Sequence, residues 1–346
     1  MYIKKILLFI VLLGLLIAAF FAYFVYNTMF VPNTAFNNEK SYVYIASDDN
    51  FSDVKNQLEP LLKDLDKFEA LAKRKKYVTN IRPGRYAILK DMNNNEIINS
   101  LRTKNLPVKV SFNNQETLEK LAGRIAVQIE ADSLSLIKAF KEEAFYKAEG
   151  IDAENILGMY IPNSYEFFWN TSAVEFRAKM LTEYQKFWKA REAKLNSINL
   201  NAQQVSTLAS IVHEESKQID EQPIIAGVYM NRLRIGMPLQ ADPTLKFAAY
   251  QLPQYDGVII KRVLNIHKSI DSPYNTYLNR GLPPGPIAMP DISAIDAVLN
   301  YLKHDYLYFA ADAKRIGYHR FAKTLQQHNA NARAYQSYLS QQGIMR

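Results

Sequence analysis

The chain has 346 residues, 48% of them apolar and 22% charged, with no cysteine and a formal net charge of +8. That length suits two domains with a sizeable core, and the composition excludes a disordered chain. The lack of cysteine excludes disulfides, thiol nucleophiles, cysteine metal sites and a lipid anchor on an N-terminal Cys, and the positive balance suits nucleic acid, anionic lipid or an acidic polymer. The clearest cationic cluster, Lys73, Arg74, Lys75 and Lys76, reads as a solvated helix end or as a binding patch. No nucleic-acid motif accompanies it, so no nucleic-acid partner is expected.

Residues 6–26 (ILLFIVLLGLLIAAFFAYFVY) hold no charge and no proline. A helix of this length spans about 30 Å, the hydrocarbon core of a bilayer. Lys4 and Lys5 precede it, which predicts a cytoplasmic tail at 1–5, a single pass through the cell (inner) membrane and an extracytoplasmic remainder. Tyr23 and Tyr26 suit an interfacial belt on the far side. A cleaved signal peptide is the competing reading, but the apolar run is long for one and no A-x-A-like site follows Tyr26. Residues 27–40 are polar and turn-rich, and read as a linker.

From 41 to 112 the pattern predicts a small α+β module. Tyr42–Ala46 alternates like a strand, and Asp53–Leu71 carries apolar residues at helical spacing. Pro60 should split that stretch into two short helices. Arg82–Tyr86 reads as a turn into a strand, Asn93–Leu101 as a short helix, and Val108–Phe112 as a closing strand. From 113 to 346 a larger domain is expected, with helices over Thr117–Glu130, Ser133–Ala148 and Ala173–Leu195, and loops at 158–168 and 272–290. Strand Tyr306–Ala310, a hairpin partner from Gly317 and a last helix over Leu325–Gln341 complete it. The fold class is α+β with a helical majority.

The stretch 204–244 is the most informative. With about 100° per residue, Val205, Leu208, Ala209, Ile211 and Val212 form the buried stripe of a helix, and Glu215 falls inside that stripe. Glu214 falls on the polar side, with Thr207 and near Ser210. A carboxyl set among apolar groups is hard to ionise, as a general acid at neutral pH requires. The same placement suits a buried carboxylate paired to Arg232 or Arg234, and geometry alone weighs the two equally. His213-Glu214 opens a zinc-protease pattern, but position 217 is Lys rather than His, and no other histidines pair at ligand spacing, so no metal is expected. No P-loop, G-x-S-x-G or G-x-G-x-x-G occurs. A helix over Glu221–Ile235 should stop at Gly236 and carry Asn231 and Arg232 near its end. The polar turn Leu239–Thr244 and the segment Ser272–Tyr277 suit ligand binding and ordinary loop chemistry equally.

L-A-S-I-V-x-x-E-S (208–216), I-A-G-V-Y-M-N-R-L-R-I-G-M-P-L-Q-A-D-P-T (225–244), S-P-Y-N-T-Y (272–277), G-L-P-P-G-P-I (281–287), Y-L-Y-F (306–309), H-x-F (319–321) and H-N (328–329) resemble, in order and spacing, the MltG-type (YceG-like) endolytic murein transglycosylases. The strong resemblance covers about residues 155–335, and the anchor and small module match that family's membrane helix and LysM-like subdomain in layout. It implies cleavage of the MurNAc-β-1,4-GlcNAc bond inside nascent glycan strands, leaving 1,6-anhydroMurNAc ends beside peptidoglycan synthases and terminating elongation. The family's catalytic glutamate aligns with Glu215. Asn231, Gln240, Asp242, Thr244, Tyr274, Asn275, Thr276 and Tyr277 are the implied glycan-binding candidates, with no metal or organic cofactor. Two departures stand out: His213 replaces the family's usual Glu, and Pro162-Asn163-Ser164-Tyr165 replaces its P-D-T-Y. Rival readings are a membrane-tethered peptidoglycan-binding protein without activity, supported by His213, and a cofactor-dependent lyase, which lacks its lysine and phosphate-cradle motifs.

Overall fold

The N-terminal helix α1 (Tyr2–Phe30) is long and apolar enough to cross a membrane, and extends beyond the expected span at both ends. This computed structural model describes residues 2–260 and 262–342. They fall into two units: one contains residues up to Val110 with Ala126–Ala131 and Tyr165–Ser172, the other Ser111–Ile125, Asp132–Ser164 and the chain from Ala173 onward.

In the first unit, β1 (Lys40–Ile45) and β2 (Gly84–Leu89) form an antiparallel pair, with Lys40 opposite Leu89 and Ile45 opposite Gly84. Between them lie α2 (Phe51–Leu58) and α3 (Leu65–Arg74), separated by a single 3-10 turn at Glu59–Leu61. Pro60 has no N–H to continue α2 but fits the start of that turn. Asn50 with Asp53, and Asn93 with Glu96, make reciprocal capping boxes that start α2 and α4 (Asn94–Thr103). Strand residues Val43, Ile45, Tyr86 and Ile88 alternate inward onto Val54, Leu58, Phe68, Leu71, Ile97 and Leu101.

The segment 27–40, expected as a linker, is fastened to this unit instead. Asn94 Nδ2 donates to the Thr28 carbonyl at 2.8 Å. Buried Asn33 donates through Nδ2 to Asp64 O (2.8 Å) and Asn94 Oδ1 (2.7 Å), while its Oδ1 accepts the Asp64 N–H (2.9 Å). These bonds satisfy both ends of a buried amide, so the segment is held by groups that burial obliges to pair. The cationic cluster is likewise engaged inside the unit: Lys73 pairs with Glu69 at 2.7 Å, and Lys75 Nζ donates to Asn95 and Asn99.

The second unit follows β3 (Pro107–Phe112), which pairs with β4 (Asn163–Phe168). Its helices are α5 (Leu118–Ala126), α6 (Ser133–Phe140), α7 (Glu143–Ala148), α8 (Ile156–Met159), α9 (Ala173–Lys189), α10 (Glu192–Ile198), α11 (Ala202–Glu215), α12 (Gln222–Arg234), α13 (Asp242–Tyr250), α14 (Asn265–Lys268), α15 (Ile292–Leu299) and α16 (Leu325–Gln341). β5 (Tyr308–Ala311) and β6 (His319–Ala322) form an antiparallel hairpin, with Tyr308 opposite Ala322 and Ala311 opposite His319.

Helix α11 runs through the middle of this unit, and every residue from Val205 to His213 is buried. Its apolar stripe packs with Ile225, Ala226 and Tyr229 of α12 and Ile295 and Val298 of α15. The side expected to face water is buried as well. Thr207 Oγ1 donates to Gln203 O (2.9 Å), Ser210 Oγ donates to Thr207 O (2.7 Å), and Ser210 Oγ accepts the Ile287 N–H (3.0 Å). Small hydroxyl residues can line a buried helix face because they bond back to their own backbone. Close packing also explains Gly227 on α12: a Cβ there would lie 2.3 Å from the Leu302 carbonyl.

Candidate active site

Helix α11 ends at Glu215, because Ser216 is extended (φ −145°, ψ 131°) and its N–H still bonds Val212 O. The last helical residue is thus a carboxyl delivered by a rigid core helix. Glu215 lines a cavity of about 340 Å³ together with Arg232, Gln240, Asp242, Tyr277, Tyr308, His319, Leu325 and His328, among others. It remains partly open to that cavity while protein surrounds its other sides. The Tyr229 hydroxyl donates to Glu215 Oε1 at 2.7 Å. Burial pushes the Glu215 carboxyl up to about 7; the Tyr229 bond opposes this and the negative charge of Asp242 adds to it. Glu214, its neighbour, is exposed and pairs with Lys217 at 3.0 Å.

The alternative of a Glu215–arginine ion pair is not what the side chains do. Arg232 is buried and spends its guanidinium on carbonyls, Nε donating to Leu307 O at 2.7 Å and Nη1 to Leu239 O, with the Tyr308 ring 5.4 Å away. Arg234 is exposed and bonds Asn231 Oδ1 at 3.4 Å. Arg232 therefore acts on Glu215 only as a nearby charge, which lowers the carboxyl slightly.

Of the sequence-derived binding candidates, Gln240, Asp242 and Tyr277 share the cavity with Glu215. The Tyr277 hydroxyl donates to Asp242 Oδ1 at 2.6 Å, which fixes both side chains across 35 positions of sequence. Gln240 sits in the left-handed region (φ +49°), a backbone state costly for a residue with a Cβ. Its N–H is held by Thr276 O at 3.0 Å, and the next N–H, of Ala241, by Thr276 Oγ1 at 3.0 Å.

The other candidates lie outside the cavity lining. Thr244 and Thr276 are buried and bond each other (2.9 Å) and Ala241. Asn275 is fully buried, donating to Lys268 O and Ile270 O and accepting the Tyr277 N–H at 3.0 Å. Asn231 donates to His304 O (2.7 Å) and Tyr306 O (3.0 Å), tying α12 to the segment before β5. Tyr274 packs on Phe247 and lines a separate cavity. The polar side-chain groups of Thr244, Thr276, Asn275 and Asn231 are thus used within the protein. His213, the departure from the resembled pattern, is outside the cavity too: its Nε2 lies 2.9 Å from Asn114 Nδ2 and its Nδ1 3.5 Å from Asp291, while burial, then Lys217, holds its pKa down. Asn163 and Ser164 lie on β4, and no metal-holding cluster occurs among the described residues.

Sequence reasoning did not single out His319, Arg232, Tyr308 or His328 as cavity residues, nor Tyr229 as the partner of Glu215. The H-x-F and H-N matches carried the two histidines, but only the fold brings them to Glu215.

Residues 43–334 match the YceG-like family. The chain belongs to that family. It is 37% identical over 184 residues to the endolytic murein transglycosylase of Bacillus subtilis (strain 168), covering 53% of this chain and 48% of that one. It is 28% identical over 356 residues to the endolytic murein transglycosylase of Streptococcus pneumoniae serotype 2 (strain D39), covering 93% of this chain and 63% of that one. The chain thus spans about half to under two thirds of these relatives' length. A solved structure of a YceG-like protein from Listeria monocytogenes superposes with a TM-score of 0.55 at 28% identity, over 85% of this chain and 99% of that one.

Proposed function

We propose that this chain is a membrane-anchored endolytic peptidoglycan transglycosylase that cuts the MurNAc-β-1,4-GlcNAc bond within glycan strands and leaves 1,6-anhydroMurNAc ends. The observation that carries the reading is Glu215, a carboxyl raised to about 7 on the wall of an open cavity. Near neutral pH such a group holds its proton in a large fraction of molecules, as a general acid needs. The names of the two curated relatives support the substrate class.

Protonated Glu215 donates to the leaving glycosidic oxygen, and the carboxylate left behind is the final acceptor of the proton from the sugar's own 6-hydroxyl. Hydrolytic glycosidases place two carboxylates around a water. An internal hydroxyl dispenses with that water and gains effective concentration. Gln240, Asp242 and Tyr277 hold the glycan, and Asn231, Thr244, Tyr274, Asn275 and Thr276 support them from behind.

The anchor reading places α1 across the cell membrane with Lys4 and Lys5 inside and both units outside, near newly made strands and their synthases. The order β1, α2, α3, β2, with the two strands antiparallel, supports a LysM-like reading of the first unit. Mass spectrometry of purified peptidoglycan digested by the chain tests the function. Internal fragments ending in anhydroMurNAc are expected. Reducing ends would mean attack by water, and intact binding without cleavage would mean a glycan-binding protein.

A further inference from the structure

Glu221, at the N-cap of α12, is buried, and its carboxyl makes three bonds. One oxygen accepts the backbone N–H of His319 at 2.6 Å. The other lies 2.8 Å from His319 Nδ1 and accepts the Ser216 hydroxyl at 3.0 Å. Burial pushes Glu221 up, but the side-chain and backbone bonds from His319 outweigh it and hold the carboxyl below its ordinary range. An ionised carboxylate only accepts, so Nδ1 carries a proton, and whenever the ring holds a single proton its Nε2 is the acceptor. Nε2 makes no hydrogen bond with any described residue, and the ring lines the cavity of Glu215. The ring is fixed by more than Glu221. Phe309 meets it edge-on (5.1 Å, 79°), and Phe309 also meets edge-on the ring of Tyr229 (5.9 Å, 86°), whose hydroxyl bonds Glu215. Ser216, which follows Glu215 in the chain, is bonded to the same Glu221.

Building on the transglycosylase reading, we propose that His319 is a second catalytic residue, whose Nε2 accepts the proton of the attacking sugar hydroxyl, with Glu221 as its positioning residue. The step balances. The bond from C1 to the leaving oxygen breaks as the proton of Glu215 passes to that oxygen. The bond from C1 to the 6-oxygen forms as the 6-hydroxyl proton passes to Nε2. Transfer of that proton from the imidazolium to the Glu215 carboxylate restores both groups, and no water is consumed. Glu221 stabilises the imidazolium that forms, the division of labour that an acid–histidine pair performs in acyl transfer.

The discriminating variant is His319→Asn in the full chain. Its shorter amide can still donate to Glu221 in place of Nδ1, but it offers nothing at Nε2. Turnover of purified peptidoglycan is expected to fall about 10²–10⁴-fold, the usual contribution of general acid–base catalysis, with the melting temperature close to wild type. Wild-type turnover by this variant would overturn the proposal. Added imidazole supplies a second readout on His319→Ala: partial recovery is expected, and none would mean that the ring is a strut. Glu215→Gln is run alongside. An inactive Glu215→Gln beside a fully active His319→Asn sinks the histidine role alone, whereas a wild type that releases no anhydro ends sinks both readings.

Discussion

Glu215 and Tyr229 act against each other at the level of single atoms. Burial drives the carboxyl towards its neutral form, while the Tyr229 hydroxyl, 2.7 Å from Oε1, favours the charged one. Tyr229→Phe should therefore move the Glu215 pKa above its present value of about 7. The alkaline fall of the pH–rate profile is expected to shift upward, at a stability cost of roughly 1–3 kcal/mol for the unpaired oxygen; an unshifted profile would remove Tyr229 from the account. The raised pKa also has a sign for stability. Below the ordinary value of 4.5, Glu215 is protonated whether the chain is folded or not, and costs nothing. Between 4.5 and about 7 the unfolded chain gives up a proton that the folded chain keeps, so stability falls with rising pH, and above about 7 the loss is complete. Glu215→Gln carries no such loss. Denaturant melts should show it gaining on wild type by about 3 kcal/mol between pH 4 and pH 8, following the roughly 1.4 kcal/mol that one pKa unit is worth.

At the scale of elements, the site is a junction of a helix end, a strained turn and a hairpin. The turn depends on Thr276, which accepts through its carbonyl from Gln240 and through its hydroxyl from Ala241. Thr276→Val keeps the shape but leaves the buried Ala241 N–H unpaired, so a loss of about 1–3 kcal/mol in a denaturant melt is expected, with weaker glycan binding as Gln240 and Asp242 shift. Elements with local signals were legible in sequence. The last helix follows Thr324, whose hydroxyl caps it, and spans 325–341 as expected. Asp242-Pro243 read as a turn, yet proline at the first positions of a helix is favoured, and the segment starts α13. Strand β4 lies within the expected loop 158–168, and α15 follows the expected loop 272–290 without a side-chain cap to mark its start. The periodicity of α11 located Glu215, but could not show that the opposite side of the helix is also buried. The Glu221–His319 pair spans 98 positions, so only tertiary structure reveals it.

At the scale of the whole molecule, the apolar helix α1 runs directly into the chain of the first unit. Removing residues up to Tyr26 should release the protein from the membrane fraction and leave the first unit folded, since Thr28 and Asn33 stay in place. Removing residues up to Ala35 deletes Asn33, which bonds Asp64 and Asn94. That shorter chain is expected to melt earlier by scanning calorimetry, and equal melting by the two truncations would restore the linker reading. In the proposed reaction one carboxyl at the end of a buried helix delivers the proton that breaks the glycan bond. Its most direct test is the rate of anhydroMurNAc ends released from purified peptidoglycan by the full-length chain in detergent, beside Glu215→Gln, which keeps the size of the side chain and an oxygen for Tyr229. A loss of about 10³-fold or more is expected, with the fold intact. Release at the wild-type rate by Glu215→Gln would contradict it.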